Sequence, residues 1–339
     1  MKGKAEKTAN KKMKEKVDIL LATYKSNINY LKKQIDSILS QTYKNISLII
    51  SDDNSQDEEL EKTLKEYEKK DSRVQIYFQK ENIGYIKNFG FLLEKSTAEY
   101  IMYSDHDDIW YPEKVEKSLK ELVENDVDLV YVNNKQIDQN DKVIKESYFK
   151  YKNMPLIYGK SKLAISRCIG IGCSQIFTRN VAEKMIPFKD SVMAHDWLAA
   201  FIANEQKGLA YIEEPLFDYR LHTDNVFGGR NLNQNISRWK EKNGKTFKSY
   251  LEYRKKDVIE KAYLSGAQMC LDYSKKQTTI KFLNELIKYY KELEKNKYIN
   301  WHIIKYFKFL AGHNLTKKMI KEIMIFHFPL IGYLVFKLN

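Results

Sequence analysis

Cysteine is nearly missing from this sequence: three positions in 339, Cys168, Cys173 and Cys270. An odd and sparse set excludes a disulfide-stapled scaffold and fits a reducing compartment. Cys168 and Cys173 have no second Cys or His pair at zinc spacing, which argues against a structural zinc site. The first sixteen residues, MKGKAEKTANKKMKEK, contain no apolar stretch, so no signal peptide is expected. A spanning helix needs about 20 largely uncharged residues. The most apolar stretch, residues 319–336, is interrupted by Lys321, Glu322, His327 and Pro329 and reads as interfacial or packed. Internal repeats and long low-complexity tracts are also missing.

What is present is enough for a core: 43% apolar residues, 13% of the chain aromatic, which excludes general disorder. The net charge is +13, and its distribution matters more than its total. Residues 1–16 carry seven Lys against two Glu, residues 17–230 carry 29 basic and 34 acidic side chains, and residues 231–339 carry 22 and 9. An acidic middle between basic ends is not the pattern of a domain built to grip nucleic acid; it reads as an acidic-site enzyme with basic attachments. The expected organisation is a basic tail over 1–16, a main domain over 17–230 and a basic, aromatic-rich helical region over 231–339.

From residue 17 the pattern alternates. Apolar runs at 17–24 (VDILLATY), 46–51, 74–78, 100–104 and 128–133 read as strands. Leu31, Ile35, Ile38 and Leu39 fall at helical spacing, and helices are expected over 85–93 and 112–124, the second with Pro112 near its first turn. Repeated alternation implies an α/β fold with a doubly wound, mostly parallel, Rossmann-like sheet. Residues 140–230 are less regular, with one helix expected around 195–205. Beyond Gly228 and Gly229 the Lys- and Tyr-rich texture predicts helices.

Ligands of open parallel sheets bind beyond the carboxyl ends of the strands. Three of the expected strands end there in polar groups: Thr23-Tyr24, Asp52-Asp53, and the run Asp105-His106-Asp107-Asp108. Acids gathered at one crevice repel unless a cation offsets them, and Mg²⁺ or Mn²⁺ takes carboxylate oxygens and shares them with substrate phosphates. Acidic pairs at strand ends also serve as turns and helix caps, a role open to Ser55 and Asp57. The run at 105–108 passes directly into Ile109-Trp110-Tyr111-Pro112, which a solvated loop rarely does.

The ordered series ATYK (22–25), SDDNSQD (51–57), ENIGYIKN (81–88), SDHDDIW (104–110), AHDWLA (194–199) and YRLHTDNVFGG (219–229) resembles the inverting family 2 glycosyltransferases of GT-A fold. Within them it is most similar to bacterial rhamnosyltransferase-like enzymes of capsule, O-antigen and wall polysaccharide assembly. The resemblance implies that Asp105 and Asp107 are the DxD motif holding a divalent cation on the donor diphosphate, with Asp108 the acid that often follows. It implies that Thr23, Tyr24 and Asp53 form the pocket for a pyrimidine base, and that Asn82, Gly84 and Asn88 line the donor site. Gly84 then permits close approach or positive φ, or is a plain turn residue. Asp196, at the head of a helix, matches the catalytic carboxylate that takes the acceptor's proton. His195 is placed to orient it, and Trp197 offers either an acceptor-stacking face or a core residue.

Arg220 and His222 match a diphosphate-contacting loop, or else are packed or surface residues. Asn225, Gly228 and Gly229 would lend that loop the mobility of a lid. The implied donor is dTDP-rhamnose or a UDP-sugar, and the acceptor a glycan or lipid-linked glycan. The basic ends then suit peripheral attachment to the cytoplasmic face of an anionic membrane, with helical core packing and self-association as further roles for residues 231–339. Two other classes use parts of the pattern. A nucleotidyltransferase usually has a Gly-rich N-terminal phosphate loop, which is missing here. A non-catalytic nucleic-acid- or membrane-binding protein would use only the basic ends.

Overall fold

The computed structural model describes residues 12–152, 154–222, 244 and 246–294. They fall into two compact units that divide after Leu221. In the first unit the elements run β1 (Val17–Thr23), α1 (Ile28–Leu39), β2 (Ile46–Asp52), α2 (Glu58–Lys70), β3 (Val74–Phe78), α3 (Tyr85–Lys95), β4 (Tyr100–Ser104), β5 (Ile109–Trp110) and α4 (Lys114–Glu124). They continue with β6 (Leu129–Ile137), β7 (Val143–Lys145), α5 (Tyr148–Lys152), α6 (Leu163–Ser166), a 3₁₀ turn at Gly172–Ser174, β8 (Gln175–Thr178), α7 (Arg179–Met185), α8 (His195–Glu205) and β9 (Leu209–Arg220).

Nine strands form one sheet in the order β3-β2-β1-β4-β8-β6-β9-β5, with β7 on β6. Strands β1 to β4 pair in parallel. They are apolar along their length because helices cover both faces: Ile19, Leu21, Leu48, Ile50 and Met102 are buried in one core with Leu31, Ile35 and Ile38 of α1. The sheet is α/β and mostly parallel, as the alternation predicts. It departs from a purely parallel sheet at β8, which runs antiparallel to β4 and β6, and at β5, antiparallel to β9. Both β8 and β9 lie in the stretch that read as irregular. Pro112 precedes α4 rather than lying within it.

Register fixes what meets at the carboxyl edge. Thr23 lies beside Asp52 and Leu21 beside Ser104, so Asp53 and Asp105 leave the sheet on either side of β1. The antiparallel pairing Ile109↔Asp218 and Trp110↔Phe217 sets Arg220 across from Asp107.

The second unit contains α9 (Phe247–Tyr253), a π-helical stretch (Arg254–Leu264), α10 (Ser265–Tyr273) and α11 (Gln277–Glu294). Its interior buries Tyr250, Ile259, Met269, Leu283, Leu286 and Tyr290. Helices were expected here. Asn225, Gly228 and Gly229, most of the basic tail, and the apolar stretch 319–336 lie outside the described residues. Among the described residues no helix is long and apolar enough to cross a membrane.

Candidate active site at the carboxyl edge of the sheet

Asp53 is buried at the end of β2, and its carboxylate is occupied by the chain itself. Oδ1 accepts from the Ile83 amide at 2.8 Å and Oδ2 from the Gly84 amide at 2.9 Å, while Asn82 Nδ2 donates to the Asp53 carbonyl at 3.2 Å. The residue expected to read a base therefore pins the 82–84 loop. Gly84 has φ +82°, ahead of the first turn of α3, and an added side chain there is strained for backbone reasons although space is open. Asn88 Nδ2 donates to the Ser51 carbonyl at 3.0 Å, and its Oδ1 is buried with no hydrogen-bond partner. Thr23 is buried against Ser26, and Tyr24 is 42% exposed. The neighbouring Asp52 accepts from Ser55, and Asp57 caps α2 through Glu59 and Leu60.

The acidic run is braced from three sides. From α1, the Gln34 amide nitrogen faces the Asp108 carbonyl at 2.7 Å when its oxygen accepts from Trp110 Nε1 at 3.0 Å and Ser104 Oγ at 2.8 Å, the orientation that satisfies both ends. Ser37 Oγ accepts from the Trp110 amide at 3.0 Å. From β9, Arg220 donates through Nε to the Asp107 carbonyl at 2.8 Å and through its main-chain N–H to Asp108 Oδ1 at 3.2 Å. Its Nη1 meets Asp138 O and the Asp141 carboxylate, and its guanidinium stacks over Tyr30 at 4.2 Å. Arg220 is thus a wholly buried strut at the end of a strand, in keeping with the packed alternative left open beside diphosphate contact. His222 follows β9 and is partly exposed.

The third brace is Lys114, buried at the start of α4. Its Nζ stands 3.5 Å from the Trp110 ring centroid and 4.0 Å from that of Phe217, and donates to the Cys173 carbonyl at 2.6 Å. Burial lowers its pKa to about 7, against the pull of Asp108 and Asp105. Burial and then the Asp107 charge push Asp105 up to about 6. Burial, Asp107 and Asp105 hold Asp108 well above the usual carboxylate range. Three carboxyls on four residues cannot all ionise without a positive partner.

The loop offers carboxylate oxygens to a divalent cation. Asp108 is wholly buried and its Oδ2 has no hydrogen-bond partner, while partly exposed Asp105 opens the group to solvent. Ligand atoms of Asp105, Asp108 and Cys173 lie within 4.8 Å of one another. That trio differs from the Asp105–Asp107 pair expected from the motif.

Across the crevice, Asp196 occupies the first turn of α8. Its Oδ1 accepts from the Trp197 amide at 2.8 Å, and its carbonyl accepts from Gln175 Nε2 at 3.1 Å. Its charge raises the pKa of the Tyr85 hydroxyl, after burial, and is the last of the causes acting on Asp105, behind burial and Asp107. The His195 ring stacks on Phe89 at 4.2 Å and meets Tyr103 edge-on at 4.7 Å. Burial lowers its pKa, which keeps the imidazole neutral near pH 7. On its open side lies Gly172, where a Cβ would stand 2.7 Å from His195 Nε2 and 3.7 Å from Asp196 Cβ. Trp197 is 6% exposed with its indole N–H unpartnered, so its face is packed rather than offered to a sugar.

Asp53, Asn82, Gly84 and Asn88 therefore cluster at the end of β2, Asp105, Asp107 and Asp108 follow β4, and the His195–Asp196 helix head lies against α3 through Tyr85 and Phe89. Gln34, Lys114, Gly172 and Cys173 were not anticipated. Gln34 had a signal: it shares the apolar face of Leu31, Ile35 and Ile38, where a polar residue needs a partner. Lys114, on the helix after the Ile109-Trp110 run, had none.

Residues 18–186 match the family described as Glycosyl transferase family 2. A glycosyltransferase of Methanocaldococcus jannaschii is 31% identical over 209 residues, covering 60% of this chain and 70% of that protein. The O-antigen biosynthesis glycosyltransferase WbnJ of Escherichia coli is 28% identical over 212 residues, covering 61% and 80%. Several rickettsial glycosyltransferases match over 18% to 64% of their own length. Among solved structures, residues 1–349 of S. aureus TarS in complex with UDP-GlcNAc superimpose with a TM-score of 0.55 at 12% identity, covering 95% of this chain and 89% of that one.

Proposed function

The chain belongs to glycosyltransferase family 2, and on that premise we propose that it is an inverting, divalent-metal-dependent transferase. It moves a sugar from a dTDP- or UDP-sugar to a glycan or lipid-linked glycan in cell-surface polysaccharide synthesis. The observation that carries the reading is a pair of acidic stations at element ends: Asp105 at the end of β4 and Asp196 in the first turn of α8. Inversion requires two such stations, one on each side of the donor's anomeric carbon.

In this reading Asp196 accepts the proton of the acceptor hydroxyl as the new C1–O bond forms and the bond to diphosphate breaks on the opposite face. His195, packed against Phe89 and Tyr103, fixes the start of α8. A cation held by Asp105 and Asp107 would offset the charge of the departing diphosphate. Asp53 acts by setting the 82–84 loop that frames the base, with Thr23, Tyr24, Asn82 and Asn88 around it, and Arg220 acts by holding the Asp107 carbonyl. The motifs SDHDDIW, HDW and YRLH favour dTDP-L-rhamnose as donor, which gives an α-rhamnoside, with UDP-hexoses as the rival. The names of WbnJ and of the TarS complex support a polysaccharide acceptor and a uridine nucleotide respectively. The basic ends suit attachment to the inner face of an anionic membrane, and a homo-oligomer is compatible with the helical region.

A thermal-shift screen of nucleotide sugars with Mg²⁺ or Mn²⁺ identifies the donor, since a ligand at a hundred times its Kd stabilises the native state by about 2.7 kcal/mol. Asp196→Asn keeps that shift and slows transfer by about 10²-fold or more. Folded Asp105→Ala, Asp107→Ala and Asp196→Ala variants that transfer at the wild-type rate overturn the reading.

A further inference from the structure

The donor set beneath the acidic loop is chemically mixed. Asp105 and Asp108 offer hard carboxylate oxygens, and Cys173, on the turn between α6 and β8, offers a soft sulfur, with all three ligand atoms within 4.8 Å. The cluster is built rather than incidental. Asp108 Oδ1 is taken by the Arg220 amide, while Oδ2, on a wholly buried side chain, has coordination capacity to spare. The Cys173 carbonyl is tied to Lys114 Nζ at 2.6 Å, which fixes the turn carrying the thiol. Cys173 is a buried free cysteine facing Asp108, and burial, then the Asp108 and Asp105 charges, keep its thiol protonated until a cation offsets them.

Softness separates two kinds of cation here. Mg²⁺ and Mn²⁺ prefer carboxylate, water and phosphate oxygens, whereas thiolate donors select zinc and its relatives. Tetrahedral zinc with bonds of about 2.0–2.3 Å places its ligands about 3.5 Å apart, so modest side-chain rotation closes this trio around one ion.

We propose that Asp105, Asp108 and Cys173 form a second, thiophilic divalent-cation site that shares Asp105 with the donor-binding cation and therefore competes with it. On binding, the Cys173 sulfhydryl proton passes to solvent as the metal–sulfur bond forms, and Asp105 is drawn inward, away from Asp107. Zinc-class ions would then hold the enzyme in a donor-refractory state. The inference rests on the proposed function for the competition with the donor-binding cation and for the donor-refractory state; the site itself does not.

The test uses Co²⁺ as an optical probe on the full chain. Wild type is expected to show a near-ultraviolet thiolate-to-cobalt charge-transfer band that saturates at one ion per chain and is displaced by Zn²⁺. Cys173→Ser and Cys173→Ala lose the band and weaken Zn²⁺ binding by about tenfold or more, while Cys168→Ser and Asp107→Asn retain it. A wild-type protein without the band, or a band that survives both Cys173 substitutions, overturns the proposal. The Mn²⁺-supported melting shift with nucleotide sugar is a separate readout. A donor shift without the cobalt band sinks the thiophilic site alone, and the band without any donor shift sinks the transferase reading alone.

Discussion

Gly172→Ala isolates the geometry of the Asp196 helix without touching a charge. The new methyl stands 2.7 Å from His195 Nε2, where ordinary contact begins at 3.4 Å, so ring and methyl must separate by roughly 0.7 Å. The ring cannot simply swing aside. Phe89 is stacked against it at 4.2 Å and Tyr103 closes its edge at 4.7 Å. The displacement therefore passes to the first turn of α8, where Asp196 Cβ lies 3.7 Å from the same methyl. Overpacking of this kind costs about 1–3 kcal/mol, a melting decrease of roughly 3–9 °C for a unit of this size. Misplacing a catalytic group by about 1 Å costs about a hundredfold in rate, so kcat is expected to fall roughly tenfold or more. KM for the nucleotide sugar stays near wild type, because the 82–84 loop is not touched. The assay is steady-state transfer with the donor found by thermal shift, paired with a melt. His195→Ala supplies the control: it opens the space the methyl needs, so in that background Gly172→Ala is nearly silent in the melt. Wild-type kcat and melting temperature in Gly172→Ala, or an undiminished penalty in the His195→Ala background, refute the reasoning.

Asp53→Ala strands the Ile83 and Gly84 amides, and a loss of about 2 kcal/mol in urea unfolding is expected together with weaker donor binding; an unchanged midpoint contradicts the loop-pinning role. Arg220→Met removes the donor from the buried Asp107 carbonyl and one of the two cations on Asp141, which keeps Lys33, and predicts a loss of about 1–3 kcal/mol by denaturant titration. An effect confined to KM for the donor points instead to direct phosphate contact. His195 gives a pH signature. Its folded pKa lies below 6.5, so the unfolded chain binds the extra proton first and stability is lost as pH falls below about 6.5. His195→Phe, which keeps a ring but cannot titrate, should lose less stability than wild type between about pH 7.5 and 5. Equal losses rule out the buried neutral imidazole.

Much of the sheet was legible because a strand covered on both faces must be apolar along its length, as VDILLAT and ISLIISD are. The antiparallel β8 and the long β9 were not. QIFT is too short to carry a period, and LAYIEEPLFDYR crosses two register shifts against β6 that break its alternation. In the site, the acidic run and the head of α8 were visible as residue types at strand and helix ends. The fates of Asp53 and Arg220 were not, because both are decided by long-range partners. Asp53 meets amides thirty and thirty-one positions away, and Arg220 meets Asp107 through an antiparallel pairing between β5 and β9. A charged residue beside a motif reads as a ligand contact until the register shows what faces it.

The braces explain why the acidic run keeps its charge problem instead of relaxing it. A solvated loop carrying three carboxyls would spread them into water, where repulsion is weak. Here Gln34 holds the Asp108 carbonyl, Arg220 the Asp107 carbonyl, and Lys114 the turn beneath, so the carboxyls stay close and partly desolvated. Of the two buried cations beside them, Lys114 is weakened by its own burial and donates to a carbonyl, and the Arg220 guanidinium is directed at the Asp107 and Asp138 carbonyls and at Asp141. The proposed cation would complete the neutralisation. In an unbraced loop a cation would have to gather its ligands; here that ordering cost is met on folding, and binding free energy goes into the complex. A diphosphate brought alone to this loop would add its charge to carboxyls that already repel one another, so the donor is expected to bind as its cation complex.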